Sequence, residues 1–388
     1  MSRPLAYVAG LPAPLRRMIK RLPGVRKAQA KLAGVPAGPT PEPGQLRPVV
    51  YLPTWARWDE MRQRPQYLLE AFARAGHDVY FVDPREERPR MADGVCIVPS
   101  VRFVPRSHVI LYVHFAPVRE MFDVFDDPAI VYDILDDLTI YDEDEVGMPE
   151  GRRVRAHHPH VMERADVVTA SSRALVSTHL GERADILLVE NGVDPDRFGG
   201  EHQVPTVLAS LTGPIVGYHG AVAKWFDLDL YGQVALALSH LAFVIVGPAD
   251  PRVQEALDRV AALPNVTVID AVASDEIASY VATFDVAVIP WIMDSLTEAV
   301  TPLKLYEYLA AGIPVVSVPL PVCIAHPLVR TASGADEFAS QVSAALSADR
   351  DADFRSRAVA AAADASWVKR AAIIRTRLEE RGQLRVEA

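Results

Sequence analysis

The feature that most restricts the fold is a grammar used twice. Short, near-continuous apolar segments rich in β-branched residues alternate with amphipathic stretches of helix length. The first set runs "RPVVYLP", "HDVYFVDP", "SHVILYVHF", "AIVYDIL", "ADVVTAS", "ADILLVEN"; the second runs "GPIVGYHG", "LAFVIVGP", "NVTVIDAV", "FDVAVIPW", "IPVVSVP". Strands that are apolar throughout need cover on both faces, and helical crossovers supply it while forcing the strands parallel. The pattern predicts two α/β domains of Rossmann type, each a doubly wound parallel sheet. In the first βαβ unit, "RPQYLLEAFARAG" reads as the helix, with Pro65 in its first turn and Gly76 at its end.

Punctuation sets the boundaries. The Pro- and Gly-rich "GVPAGPTPEPGQ" at 34–45 ends an N-terminal extension, and the turn-rich "NGVDPDRFGGEHQVPTVLASL" separates the two strand sets. This gives an extension and linker at 1–46, a first domain at 47–200, a second at 201–365 and a terminal segment at 366–388. That last segment contains the helical "ASWVKRAAIIRTRLEE", with Trp367 as its anchor.

At 388 residues, with 50% apolar and 23% charged content, the chain can bury two ordinary cores. No run approaches the roughly 18 unbroken apolar residues of a membrane span; even "YVATFDVAVIPWIM" is cut by Asp285 and Pro290. The start of the chain reads poorly as a secretion signal, so a cytoplasmic protein is expected. Cys96 and Cys323 stand in no ligand spacing and are expected as buried, reduced thiols. Charge is uneven: residues 1–47 hold nine Lys or Arg against Glu42 alone, while the remainder holds 31 basic against 49 acidic residues. Within residues 15–31 apolar and basic side chains interleave, as suits either an anionic membrane surface on the inner face or a solvated basic arm. No aromatic interleaving supports nucleic acid as a partner.

The stretch "TPLKLYEYLAAGIPVVSVP" begins with Thr301 as N-cap and Pro302 as the first helical residue, which places Lys304 in the first turn. A helix start already carries partial positive charge and unpaired N–H groups, so this cation has the wrong sign for its position. Either Glu307 pairs with it, an interaction worth under about 1 kcal/mol at a surface, or an anion such as phosphate binds there. Ligands of open parallel sheets bind beyond the carboxyl ends of the strands, where this helix begins. Glu307, one turn on, suits the vicinal hydroxyls of a ribose.

Other polar groups also fall at strand ends. Asp133, Asp136 and Asp137 follow the strand "AIVYDIL", and His114 and His219 end their strands, whereas His77 merely starts one. Asp142 and Asp144 read either as further metal ligands or as a solvated loop. "AHHPH" at 156–160 offers three imidazoles without a companion cysteine, so no metal site is expected there. Trp55, Trp58 and Arg64 suit contact with an acceptor or a phosphate, or plain packing.

The segment from Pro302 resembles the donor-binding helix of GT-B glycosyltransferases of the retaining family 4 type, P-x-K-x-x-E-Y-x-A-x-G-x-P-V-V, and matches it at Pro302, Lys304, Glu307, Tyr308, Ala310, Gly312, Pro314, Val315 and Val316. "VENGVDPDRF" is similar to the interdomain N-G-V-D-x-x-x-F of that family, and "WDEMRQRPQYLLEAFARAGHDVYFVDP" resembles the R-P-Q and G-H-x-V of one subgroup. The resemblance implies two Rossmann-like domains facing a cleft, with the C-terminal helix crossing back to the first. It implies transfer of a sugar from a nucleotide-diphosphate donor in the second domain to a glycan, lipid-linked or small-molecule hydroxyl acceptor in the first, with no cofactor and no metal.

By that resemblance Glu307 holds the ribose, while Lys304 and the amides of Thr301 and Leu303 meet the diphosphate. Asp133 and Asp136 contact the acceptor side. The sequence departs from the family where an acid is expected at Ala299, with Glu298 one position away. It departs again after the first strand of the second domain, where "GYHGAVAKWFD" offers His219, Gly220 and Lys224 in place of the usual basic clamp. These departures keep two alternatives open: a nucleotide-sugar epimerase of the same shape, and a catalytically silent nucleotide-sugar-binding protein.

Overall fold

The computed structural model describes residues 40–54, 56–59, 62–138, 149–348 and 351–387, with side chains from Arg153 onward in the helix that starts at Pro149. The basic extension, Trp55, Asp142 and Asp144 lie outside the described residues. The chain divides into two compact units. One comprises residues up to Glu190 together with Trp367 onward, and the other is Asn191–Ser366. The N-G-V-D segment belongs to the second unit because Val193 bridges Ser366 and donates its N–H to the Ala365 carbonyl at 3.1 Å.

In the first unit eight strands form one sheet: β1 (Val49–Tyr51), β2 (Val79–Val82), β3 (Arg90–Ala92), β4 (Val95–Val98), β5 (Ile110–Val113), β6 (Ala129–Ile134), β7 (Val167–Ala170) and β8 (Leu187–Leu188). Their order is β3-β4-β2-β1-β5-β6-β7-β8, parallel except for the β3–β4 pair. β1, β5 and β6 are buried along their whole length, as their unbroken apolar runs require. The Arg64–Arg74 helix starts with a reciprocal cap between Gln63 and Gln66, with Pro65 in its first turn. Gly76 follows it at φ 92°.

The C-terminal helix, Trp367–Glu380, packs on the Arg64–Arg74 helix, and the Trp367 and Tyr67 rings stack at 5.4 Å. Beyond it the chain pairs with the entry to β1: Arg47 N donates to Leu384 O at 3.0 Å and Gly44 N to Val386 O at 2.9 Å. Arg47 itself is buried, its guanidinium donating to the Asp127 carbonyl at 2.9 Å.

The second unit holds six strands, β9 (Ile215–His219), β10 (Ala242–Val246), β11 (Val266–Ile269), β12 (Val286–Ile289), β13 (Val315–Ser317) and β14 (Val329–Thr331). They are all parallel, in the order β11-β10-β9-β12-β13-β14. The order runs outward in both directions from the β9–β12 pair, so the topological switch point lies at the carboxyl ends of these two strands. No helix among the described residues is long and apolar enough to cross a membrane. Cys323 is buried as expected, whereas Cys96 is only partly so.

Candidate functional site

At the switch point of the second unit, β9 ends in Tyr218 and His219 and is followed by Gly220, and β12 leads into Pro290 and Trp291. The helix that follows spans Leu303–Ala310, with Pro302 in the cap position at φ −62° and ψ 127°. The expected start is thus displaced by one residue. Thr301 is buried to 1% exposure, and Asn191 Nδ2 donates to its carbonyl at 2.6 Å, which fixes the approach to the helix. Pro302 in the cap position has no side-chain group to cap this helix. Its first-turn amides, including those of Leu303 and Lys304, lack intrahelical acceptors by geometry.

Lys304 turns inward. Its Nζ lies 5.1 Å from the centre of the Tyr218 ring and 4.7 Å from that of Trp291. Two ring faces stabilise a cation by about 0.5–2 kcal/mol each, but they leave its N–H donors unpaired. Lys304 makes no ion pair within 4 Å among the described residues, so the surface pairing with Glu307 weighed above is not formed. Part of the side chain reaches the surface, yet burial of the ammonium end lowers its pKa to about 8, against the opposing pull of Glu307.

Gly220, at φ 119°, provides the room: a Cβ there would stand 3.2 Å from Lys304 Cε and 3.3 Å from Nζ. Gly247, at φ 145°, lets the end of β10 approach equally closely, since its Cβ would fall 2.4 Å from the Gly220 carbonyl oxygen.

Glu307 is also buried, at 6% exposure. Its Oε2 stands 3.0 Å from His219 Nε2, but off the hydrogen-bond angle, so that buried nitrogen has no aligned partner. The backbone N–H of His219 donates to the Tyr308 hydroxyl at 3.0 Å, and the two rings meet edge to face, which joins the end of β9 to the helix. Lys304, Glu307, His219 and Gly220 are therefore gathered in one place. Two other candidates differ in exposure: Lys224 is exposed on the loop after β9, and Glu298 is exposed at the end of the short Ser295–Glu298 helix, while Ala299 turns inward.

The polar residues of the first unit are arranged differently from the expectation. Asp133 is fully buried and committed to internal partners: Arg64 Nε at 2.8 Å and Nη2 at 2.9 Å, Thr169 Oγ1 at 2.5 Å, and the Tyr112 hydroxyl. Burial alone would raise its pKa, but the Arg64 charge and the three sets of hydrogen bonds outweigh this and hold it below the usual carboxylate range. Asp133 is thus a positioning group, and Arg64 is its partner, not an acceptor contact. Trp58 is likewise packing, buried edge-on to Phe81 with its N–H donated to Asp93 Oδ2 at 3.2 Å.

Asp136, past the end of β6, is half-buried, and burial reinforced by Asp137 pushes its pKa up to about 6. His114, at the end of β5, is stacked on Tyr51 with Nδ1 3.0 Å from its hydroxyl, and burial lowers its pKa to about 4. His77 does more than start a strand: Nδ1 faces the Arg47 carbonyl at 2.8 Å and Nε2 accepts from Arg375 at 3.2 Å.

Residues 213–348 match the family model for Glycosyl transferases group 1. The chain is 30% identical over 174 residues to TuaH of Bacillus subtilis (strain 168), named as a teichuronic acid biosynthesis glycosyltransferase; the match covers 43% of this chain and 44% of TuaH, less than half the length of that relative. Among solved structures, sucrose-phosphate synthase from Thermosynechococcus elongatus superposes with a TM-score of 0.60 at 16% identity, covering 86% of this chain and 98% of that one. Anabaena HepE in complex with UDP and glucose does so with a TM-score of 0.58 at 14% identity, covering 86% of this chain and 100% of that one. Residues 213–348 therefore belong to the glycosyl transferases group 1 family, within a chain whose two parallel-sheet units have the GT-B fold.

Proposed function

We propose that this chain transfers a hexosyl group from a nucleoside-diphosphate sugar, held by the second unit, to a hydroxyl acceptor in glycan or glycoconjugate synthesis. The observation that carries the reading is the Lys304 ammonium, drawn in over Gly220 between two aromatic rings without an anionic partner and one turn from a buried carboxylate. A departing diphosphate gains negative charge as its bond to the sugar breaks. Groups aimed in advance at that charge lower the barrier, each by about 3–4 kcal/mol.

Lys304 and the amides at Thr301 and Leu303 supply such groups, and Glu307 accepts the ribose hydroxyls. The reading assigns the donor site no metal, because a cation and a helix start perform the charge stabilisation themselves. On the first unit Asp136 is ionised above about pH 6 and suited to accept a hydrogen bond from an acceptor hydroxyl, with Asp133 and Arg64 fixing the end of β6. Transfer with retention follows from the family 4 resemblance. The basic segment at 15–31 suits an acceptor presented at the inner face of a membrane.

UDP-glucose is the first donor to test, since HepE was solved with UDP and glucose. The chain is incubated with a panel of nucleotide sugars, with and without acceptors, and the products are weighed by mass spectrometry. Acceptor-dependent gain of one hexose mass is expected, abolished in Lys304→Met. Interconversion of the sugar without any acceptor would instead establish an epimerase. Thermal stabilisation by nucleotide with neither hydrolysis nor transfer would establish a silent binding protein.

A further inference from the structure

In the first unit three side chains of metal-ligating type meet. His158, on the Pro149–Arg164 helix, places Nε2 3.0 Å from Glu182 Oε2; His179, at the end of the Arg173–His179 helix, places Nδ1 3.5 Å from Glu182 Oε1. One donor atom from each residue falls within 4.8 Å of the others, and this is the one such group of three among the described residues. Both imidazoles are buried, at 3% and 4% exposure, while Glu182 is exposed and leaves the cluster open to solvent on its side.

We propose that His158, His179 and Glu182 form a three-ligand site for a divalent metal ion of the zinc class. Metal–nitrogen bonds of about 2.0–2.1 Å in tetrahedral geometry put neighbouring ligand atoms roughly 3.3–3.5 Å apart. His158 Nε2 and His179 Nδ1 stand 3.0 and 3.5 Å from the two separate oxygens of the Glu182 carboxylate, close to that spacing. Two imidazoles and a carboxylate with one open position is a donor set that zinc-type ions accept and that Mg²⁺ and Ca²⁺, which want oxygen, do not.

A self-contained hydrogen-bond cluster would use every buried nitrogen, yet His179 Nδ1 is buried with no hydrogen-bond partner. His158 is already oriented from behind, its Nδ1 2.8 Å from the Tyr132 hydroxyl, which can accept a hydrogen bond once Nε2 binds a metal. The turn that carries Glu182 is fixed as well. Glu182 N and Arg183 N both donate to His179 O at 3.0 Å, and Arg183 Nη1 donates at 2.7 Å to the carbonyls of Met162 and Ala165, at the end of the helix that bears His158. The histidine-rich "AHHPH" gave no companion ligand in sequence because its partners come from the next helix and the turn after it.

The test uses the full chain, purified without a histidine tag, stripped with chelator and titrated with Zn²⁺ by calorimetry, with Co²⁺ absorption as a coordination readout. One equivalent of Zn²⁺ is expected, with affinity reduced at least tenfold in Glu182→Gln and in His179→Ala and unchanged in His160→Ala, which alters an exposed imidazole nearby. An excess of Mg²⁺ is expected not to compete, and Zn²⁺ to raise the unfolding midpoint by on the order of a few degrees. Glu182 is exposed, so Glu182→Gln keeps the fold, as circular dichroism checks, and decides the matter should His179→Ala fail to fold. Absence of stoichiometric Zn²⁺ binding, equal affinity in Glu182→Gln, equal loss in His160→Ala, or displacement by Mg²⁺ would each overturn the site.

Discussion

A lysine whose pKa is lowered to about 8 loses the charge that the proposed reaction needs as pH rises through that value. In the unfolded chain the same group titrates near 10.4, so between about pH 8 and that value the unfolded state binds more protons. Stability therefore rises with pH through this window, as the cost of the buried ammonium disappears. Donor binding runs the other way. Affinity for a nucleoside diphosphate is expected to be flat below about pH 8 and to fall above it, with Lys304→Met flat throughout; titration calorimetry between pH 6 and 10 reads the difference. Gly220 supports the same arrangement from the backbone side. A side chain there is strained at φ 119°, on the order of 1–3 kcal/mol, and its Cβ presses on Lys304 Cε and Nζ. Gly220→Ala is expected to weaken nucleotide binding by about tenfold or more while leaving circular dichroism unchanged, and wild-type affinity in that variant would refute the packing argument.

Elements succeed or fail as units, and the Arg64–Asp133 pair shows how one strand end is held by three others. Arg64 comes from the start of a helix, Tyr112 from β5 and Thr169 from β7, where Thr169 is the register partner of Asp133. Removing one member of a buried ion pair strands the other, typically at about 3–5 kcal/mol. Asp133→Asn and Arg64→Met are thus each expected to lower stability in urea by about that amount, with the double variant Arg64→Met/Asp133→Leu recovering part of it. The held-down carboxyl adds stability above its unfolded pKa, near 3.8, that is lost as pH falls through its lower folded value; the single variants lack this acid-limb loss.

Most of the sheet was legible because unbroken apolar runs admit few alternatives, and the helix start at Pro65 was legible because its chemistry is local. The antiparallel β3–β4 pair was missed, though Asp93-Gly94, with φ of 51° and 79°, is a turn signal that could have found it. The fate of Asp133 was not legible. Its position after a buried strand is written in the sequence, but the three groups that enclose it come from segments 69, 21 and 36 residues away. Charge alone left Lys304 between a surface pair with Glu307 and a bound anion, and its inward course over Trp291 and Tyr218 depends on two strands being neighbours.

At the scale of the whole molecule, the first unit is discontinuous: its last helix is reached only after the second unit has been traversed. Trp367 seals that return. It is 3% exposed, stacks flat on Tyr67, and its indole N–H has no hydrogen-bond partner, so its contribution is packing. Replacing a buried tryptophan by alanine costs about 3–5 kcal/mol, and a chain of two compact units need not unfold in a single transition. Trp367→Ala is therefore expected to lower one calorimetric transition, that of the first unit, while UDP raises the other, because a ligand stabilises only the part that binds it. Trp367→Phe, which keeps the stacked ring and removes the unpaired N–H, should cost much less. If Trp367→Ala and UDP act on one and the same transition, the two units unfold together, and packing at Trp367 is not separable from nucleotide binding.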